Sequence, residues 1–285
     1  MTRTDPRRGA VLVTVLWSIS LLAALAMAAS VAFRSFTGVM GVDRLRVERD
    51  ALITAGLEVA AGAMLSGTTL RDLELTTNLS TGSIRVRLSD EGGRIDITRA
   101  PAEVLAGLLR SVGAPPATAE GAAKAIVEQR GGNAARRSPV PAPAPVLATT
   151  HEQALADIGR VAGVRPQWLA AIELLTTIYG SETVNPLTAP RRVIAALPGV
   201  DAARLEAFLA ERRNPSVDAN RLAQMLGPAQ RFVVAKPQRV AAVDLIATMR
   251  EGPGAAARAV IAALPQDSEP YRVLVFTPMP AAGLR

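Results

Sequence analysis

The residue types that carry most enzyme chemistry are scarce in this chain. His151 is the only histidine and cysteine is absent, so the sequence offers no thiolate nucleophile and no histidine pair for a metal. Glu173 is a candidate buried acid, although the predicted helix that holds Trp168 and Leu174 favours an exposed position for it. The sequence contains no phosphate-binding loop ending in Lys-Ser or Lys-Thr and no Gly-x-Ser-x-Gly elbow. We therefore predict no catalytic residue and no enzyme.

Arginine supplies almost all of the positive charge. The 285 residues carry a formal net charge of +7, and Lys124 and Lys236 are the only lysines. Such an excess can indicate contact with nucleic acid or with a membrane surface. The arginines are scattered rather than clustered, so coding bias explains them better. The length allows one large domain or two modest ones.

The N-terminal stretch predicts a membrane tether. Residues 10–33 contain no charged side chain, and as a helix they measure about 36 Å, enough to cross a ~30 Å hydrocarbon core. Residues 1–9 precede them and carry Arg3, Arg7 and Arg8. Because positive residues stay on the cytoplasmic side, we expect the bulk of the chain on the opposite side of the membrane.

Three interpretations of this stretch compete. A cleaved signal peptide fits the basic start, with cleavage after Ala28 or Ser30, but the apolar run is too long for it. A plain signal anchor is the second interpretation. The third, which we favour, is cleavage between Gly9 and Ala10. A short basic leader, a glycine and an apolar helix resemble the class III signal of type IV pilins and type II secretion pseudopilins.

The same helix is expected to continue beyond the membrane to about residue 65. Apolar residues recur with helical spacing from Val42 to Val59, with charged residues between them. Gly38 and Gly41 interrupt this run, so a loop at residues 37–41 between two helices is the alternative.

The rest of the chain shows strand patterns and an internal repeat. Alternation from Gly82 predicts a strand, the DEGG that follows predicts a turn, and Thr98 is a predicted helix cap. The segment IDITRAP at residues 95–101 recurs 89 residues later as VNPLTAP. In the same register Ala106-Gly107 matches Ala195-Ala196. We therefore expect two copies of one local structure.

Two short helix pairs are predicted around glycine turns. Gly163 separates helices predicted over 152–160 and 167–178, and Pro198-Gly199 leads into a helix over about 202–213. Glycine suits these turns because it adopts a positive φ that other residues resist. Between the repeats, the proline-rich stretch 138–145 predicts a stiff, exposed loop.

These features together resemble one known family. The segments DEGGRIDITRAPAEVLAGLL (90–109) and VNPLTAPRRVIAALPGV (184–200) look like the paired Asn-Thr-Ala-Pro segments of the K-type minor pseudopilins of type II secretion, the general secretion pathway protein K family. The leader agrees with that family, and residues 231–250 and 271–278 are expected to be its closing strands. The resemblance covers most of the chain.

Thr14 has a particular meaning within this resemblance. It is the fifth residue after the cleaved glycine, where most pilin-like proteins carry a glutamate. A carboxylate in the bilayer is costly unless it finds a partner, and in the family that partner is thought to be the amine of the neighbouring subunit. A subunit with nothing ahead of it needs no such glutamate. The missing glutamate therefore either contradicts the pilin interpretation or marks a subunit at the fibre tip. The K-type minor pseudopilins usually lack it, so the resemblance implies the tip.

The resemblance also implies function, partners and location. It implies a minor pseudopilin that caps the periplasmic pseudopilus, is cut by a prepilin peptidase and is methylated at Ala10. The implied partners are other minor pseudopilins and the inner membrane, with the head in the periplasm and no nucleic acid. The membrane helix would hold Val11, Thr14, Trp17 and Phe33, with Trp17 in lipid or against a neighbouring helix.

The implied fold is α+β: a long N-terminal transmembrane helix packed on a pilin-like antiparallel sheet, with a large all-helical insertion. The expected divisions are a leader at 1–9, a membrane helix at 10–33, helix continuation and first strands at 34–94, the helical insertion at 95–214 and the last strands at 215–285.

Calcium sites are described for the family, but this chain lacks an acidic cluster of matching pattern. Asp90, Glu91 and Asp96 are the nearby carboxylates, whereas a hard cation needs about six oxygen ligands. We therefore expect no cofactor and keep calcium as an alternative.

A membrane-anchored DNA receptor of the competence type is the alternative function. The Leu-Pro-Gly-Val turn followed by Arg204 resembles helix-hairpin-helix modules, which hold phosphate on backbone N–H groups at a helix N-terminus. Asp201, however, places a negative charge where the phosphate would lie.

Overall fold

The computed structural model describes residues 6–71, 73–136, 150–214, 217–235 and 239–280. The predicted proline-rich loop at 138–145 and most of the predicted leader lie outside these residues. One helix, α1 (Pro6–Leu65), runs from the apolar stretch into the head. The prediction of one continuous helix is confirmed, because α1 passes through Gly38 and Gly41 without a break.

After α1 the chain forms two long strands, then a series of short helices, and then three more long strands. The chain continues through β1 (Leu73–Leu79), β2 (Gly82–Asp90), a 3₁₀ turn (Glu91–Gly93), β3 (Ile95–Asp96), α2 (Ala102–Ser111), α3 (Pro116–Arg136), α4 (His151–Gly159), α5 (Pro166–Glu173), β4 (Thr176–Thr177), α6 (Arg191–Ala196), α7 (Ala202–Glu211), α8 (Ala219–Met225), a second 3₁₀ turn (Gly227–Phe232), β5 (Val240–Met249), β6 (Ala255–Ala263) and β7 (Tyr271–Met279). Within the described ranges, five strands form one antiparallel sheet in the order β1-β2-β5-β6-β7.

One face of this sheet packs on α1. Ile84, Val86 and Leu88 of β2 are fully buried, while Arg85 and Arg87 between them face the other side. Gly56 brings helix and sheet close together, because a Cβ at this position would lie 2.6 Å from Leu245 Cδ2. The α1 side of the sheet thus forms a core of its own, and the fold is α+β as predicted.

The helices α2 to α8 follow β2 and precede β5 in the chain, and they form a second core. We call this region the helical part. This helical part extends to Phe232, beyond the predicted limit at residue 214. Asp218 caps α8 by accepting a hydrogen bond from the Asn220 backbone N–H, and Leu222 and Phe232 are buried in the helical core. The extended pattern predicted from residue 231 was therefore wrong at its start, and the strand itself begins at Val240.

The two copies of the sequence repeat adopt the same local structure. In the first, Asp96 accepts from the backbone N–H of Thr98 at 2.7 Å, and in the second, Asn185 accepts from that of Leu187 at 3.2 Å. A proline, Pro101 or Pro190, then precedes the helix α2 or α6. Such turns form because a short polar side chain can bond to the backbone two residues later.

The two copies meet at equivalent positions. A Cβ on Gly107 in α2 would lie 2.0 Å from the carbonyl oxygen of Ala196 in α6, its counterpart in the repeat. Glycine at this position lets the two helices cross at backbone distance.

Two predicted helix boundaries were wrong. Thr98 does not cap α2: its backbone N–H and its hydroxyl both bond to Asp96 Oδ1, and α2 starts four residues later after Pro101 without a side-chain cap. The helix predicted over 167–178 ends at Glu173, because the chain then turns so that β4 can pair with β3.

Candidate functional site

The first candidate site is the exposed apolar part of α1. Residues Val13–Ser30 form a span with a mean hydropathy of 1.9, and none of it is buried against the rest of the chain. This distinguishes the segment from the core helix of a soluble protein, while its length and composition suit a membrane. Ser18, Ser20 and Ser30 each donate to the carbonyl four residues earlier, at 2.8–2.9 Å. These hydroxyls are thereby satisfied without water.

Two of the residues predicted for the membrane helix have exposed side chains on α1. Thr14 is exposed, and Trp17 has 72% of its surface free. The backbone of Gly9, Ala10, Val11 and Phe33 belongs to α1, whereas the side chains of the last three lie outside the described set. Cleavage between Gly9 and Ala10 stays a prediction.

The two predicted hairpin turns have the expected backbone geometry. Gly163 joins α4 to α5 with a φ of 88°, and Gly199, after Pro198, joins α6 to α7 with a φ of 79°. At the second hairpin the Asp201 carboxylate accepts from the backbone N–H of Arg204 at 2.8 Å. The N-terminus of α7 is therefore capped by an internal anion.

His151 is half-buried and makes a structural contact. Its Nε2 lies 2.9 Å from the Thr176 hydroxyl, which in turn donates to the Ile172 carbonyl oxygen. Burial, and then the positive charge of Arg94, lower the pKa of His151 below its usual value. Glu173 is exposed, as expected from the sequence. This arrangement holds α4 against the chain around β4.

Two of the three carboxylates considered as cation ligands are fully engaged inside the fold. The third, Asp96, accepts from Thr98 through Oδ1, whereas its buried Oδ2 accepts no hydrogen bond from the described residues and lies 4.0 Å from Arg99. Asp90 accepts from the backbone N–H of Gly92 at 2.9 Å, from Asn185 Nδ2 at 3.0 Å and from the Thr188 hydroxyl at 2.6 Å. Burial raises its pKa despite these bonds. Glu91, whose pKa burial also raises, pairs with Arg94 at 3.1 Å. In the described ranges no three histidine, cysteine, aspartate or glutamate residues gather as a metal site.

Two arginines stabilise the repeat by hydrogen bonds to its backbone, a role that the sequence did not predict. Arg130 donates to the carbonyl oxygens of Ile97 and Ala100. Arg212 donates to those of Pro186, at 3.1 Å, and Ala189, at 2.6 Å, which are the equivalent residues of the second copy. Burial, followed by the positive charge of Arg71, lowers the pKa of Arg212 to about 10. The two copies thus use the same kind of clamp, although the arginines occupy different places relative to the repeat.

Comparison with known proteins gives a match in structure alone. No family model matches the sequence, and no curated protein matches it either. The fold is similar to a chain of the crystal structure of the GspK-GspI-GspJ complex from the type 2 secretion system of enterotoxigenic Escherichia coli. The TM-score is 0.53 and the sequence identity is 15%, over 83% of this chain and 99% of that chain. The chain therefore has the fold of a subunit of that complex.

Proposed function

We propose that this chain is a minor pseudopilin of a type II secretion system and that it caps the tip of the periplasmic pseudopilus. The observation that carries the proposal is the fold shared with a subunit of the GspK-GspI-GspJ complex over nearly all of that subunit. The exposed apolar span of α1 supports a single-pass anchor in the inner membrane, with the head in the periplasm. The proposed partners are other minor pseudopilins.

The position of the helical part supports a role at the tip. Asp90, the last residue of β2, donates its backbone N–H to the carbonyl oxygen of Leu70, just beyond the end of α1. At the opposite end of the sheet, Gly252 lies against Leu45, nearer to the membrane span. The helical part therefore leaves the sheet at the end remote from the membrane, where its bulk would block the addition of a further subunit.

Assembly would begin with processing and membrane packing. A prepilin peptidase would cut between Gly9 and Ala10, and the new amine would be methylated. The exposed apolar side chains of residues 13–30 would then pack against the helices of neighbouring subunits. Thr14 would place no carboxylate in the bilayer, as suits a subunit with nothing ahead of it.

The decisive test is the N-terminal sequence and intact mass of the membrane-extracted protein, from cells with and without a prepilin peptidase. We expect a chain that starts at Ala10 only when the peptidase is present. A start at Met1 in both strains, or a start after Ala28 or Ser30, would contradict the proposal.

The tip position has its own test, which uses the absence of cysteine from the sequence. Glu120→Cys places one thiol on the exposed side of α3, where a maleimide-linked gold particle can attach. Labelled fibres should carry one particle at one end. Particles along the whole fibre would contradict tip capping without affecting the pseudopilin assignment.

The DNA-receptor alternative finds less support in the geometry. Helix-hairpin-helix modules need free backbone N–H groups at the helix that follows the hairpin, and Asp201 already binds the N–H of Arg204 there. DNA binding by the full-length protein, with no peptidase-dependent start at Ala10, would favour that alternative.

A further inference from the structure

The outermost strand of the sheet leaves apolar side chains uncovered. β7 is an edge strand, and of the described elements it pairs with β6 alone. Val273, Leu274, Val275 and Phe276 follow one another in this strand, each with 37–46% of its surface exposed. Single exposed apolar residues are normal on a protein surface, but four in a row indicate a contact surface.

Part of this apolar stretch belongs to the face of the sheet that packs on α1. Ala259 and Ile261 of β6 are fully buried on that face, and their partners across the ladder are Phe276 and Val273. Directly paired residues point to the same side of a sheet. The core face of the sheet therefore continues onto β7, where 46% of Phe276 and 38% of Val273 is exposed to solvent.

α1 is too narrow to cover the whole sheet. A helix with its side chains is about 10–12 Å wide and neighbouring strands lie about 4.8 Å apart, so one helix covers about two strands fully. α1 contacts mainly β2, β5 and β6. On one side of it, Leu73 and Leu75 of β1 still pack against the core, whereas on the other side only Tyr271 of β7 does so. The α1 side of β7 therefore has room for a second helix.

The side of α1 that faces this space carries small and apolar residues. Glu58 marks this side, because its carboxylate accepts a hydrogen bond from the Tyr271 hydroxyl of β7 at 3.1 Å. Val47, Ala51 and Thr54 lie on the same side at helical spacing, and all three are exposed. We call this surface the α1–β7 groove. Its floor is the α1 side of β7, and its wall is the row of α1 residues from Val47 to Glu58.

The outer edge of β7 is poorly suited to pairing with a further strand. The register of its pairing with β6 shifts at Leu274, which is skipped between the partners of Val260 and Ile261. Near the end of the strand, Pro278 has no backbone N–H to donate. Bulges and prolines are features by which edge strands resist pairing with other chains. The uncovered face, rather than the edge, is therefore the surface left for a partner.

We propose that the α1–β7 groove binds the N-terminal helix of a neighbouring minor pseudopilin. The inference rests on the proposed function, which supplies the partner, and it identifies the surface of the head that this partner contacts. A helix in the groove runs beside α1, and α1 continues without a break into the exposed apolar span Val13–Ser30. One long helix with an apolar face therefore matches both the groove and the span.

The experiment compares two neighbouring substitutions on opposite faces of β7, in cells that carry the whole secretion system. Phe276→Glu places a charge on the floor of the groove, and Thr277→Glu places the same charge on the other face of the strand. Phe276→Glu should reduce the amount of other minor pseudopilins that co-purify with the full-length protein in detergent by about tenfold or more. Thr277→Glu should reduce it by less than about threefold. Equal effects of the two variants would overturn the proposal.

Photo-cross-linking gives a second measurement that does not depend on the folding of the Phe276→Glu variant. The photoreactive residue p-benzoylphenylalanine is introduced at position 276 or at position 277, and the adducts are mapped by mass spectrometry. We expect adducts from position 276 alone, on the N-terminal helix of another minor pseudopilin. Adducts on a second copy of this chain or on an extended segment, or none from position 276, would overturn the proposal. In each of these cases a peptidase-dependent start at Ala10 would leave the proposed function standing, so the two failures are distinguishable.

Discussion

At the scale of single residues, buried polar groups are placed to join segments that are distant in sequence. Asp90 ties the end of β2 to Asn185 and Thr188 in the second copy of the repeat. His151 ties the start of α4 to Thr176. These contacts fasten the helical part to the sheet and to itself, and they depend on the protonation of the groups that make them.

His151→Gln should flatten the pH dependence of stability below neutral pH. The folded-state pKa of His151 is lowered, so its contribution is fully present above the unfolded value of about 6.5 and is lost as the pH falls through the folded value. The unfolded chain takes up a proton there that the folded chain resists. Thermal unfolding at pH 7.5 and pH 5 should therefore show a larger loss for the wild type than for the variant.

Asp90 and Glu91 change the stability with pH in the opposite direction from His151. The comparison of wild type and variant must take this into account. Their pKa values are raised in the fold, so their contribution is present at low pH and is lost as the pH rises through the folded values. Both groups remain in the variant and cancel in the difference. An equal pH dependence of wild type and variant would contradict the lowered pKa of His151.

At the scale of elements, the approach of α1 to the sheet depends on one glycine. Gly56→Val would drive new methyl groups into Leu245 and Ile84, which already lie within 3 Å of the position of a Cβ. We expect a loss of about 1–3 kcal/mol in the free energy of unfolding, measured by urea titration in detergent.

Gly62→Val is the control for this substitution. It lies in the same helix, one to two turns away, with nothing within 4 Å of a Cβ. It introduces the same β-branched residue without a clash and should leave the urea midpoint nearly unchanged. Equal midpoints for the two variants would show that close packing at Gly56 is not required.

Prediction from sequence succeeded where the evidence is local. The long helix, the alternating strand β2 and the hairpin glycines follow from the periodicity and conformational preference of neighbouring residues. The clamps of Arg130 and Arg212 were missed because their partners lie 23 to 33 residues away, and scattered arginines resemble surface charge. Strand β1 was not identified by its residues because its alternation is short and its apolar positions are only half-buried.

At the scale of the whole molecule, two hydrophobic cores lie side by side. One joins α1 to the sheet, and the other fills the helical part. Protein regions with separate cores can open separately. A substitution that weakens one core should therefore have little effect on the other.

Arg212→Met tests this independence. It removes the donor to two backbone carbonyls while keeping an apolar side chain beside Phe208. We expect the helical core to lose about 2 kcal/mol, seen as faster hydrogen exchange of amides in α6 and α7. Amides of β5 and β6 should exchange as in the wild type.

Two further variants complete that experiment. Arg213→Met changes the neighbouring exposed arginine and should leave exchange in both cores unchanged. Arg130→Met should speed exchange in α2, since Arg130 has the equivalent role in the first copy. Faster exchange throughout the molecule would mean that the two cores open as one unit.

The pairing of β2 with β5 has a consequence for the evolutionary history of the chain. Asp90 and Ala241 are direct partners in the sheet, so the helical part leaves and rejoins it at neighbouring points. A short turn in place of residues 91–240 would restore an ordinary β-hairpin with every strand still in register. A gene for a small head can therefore gain the whole helical module in a single insertion that leaves the register of the sheet unchanged.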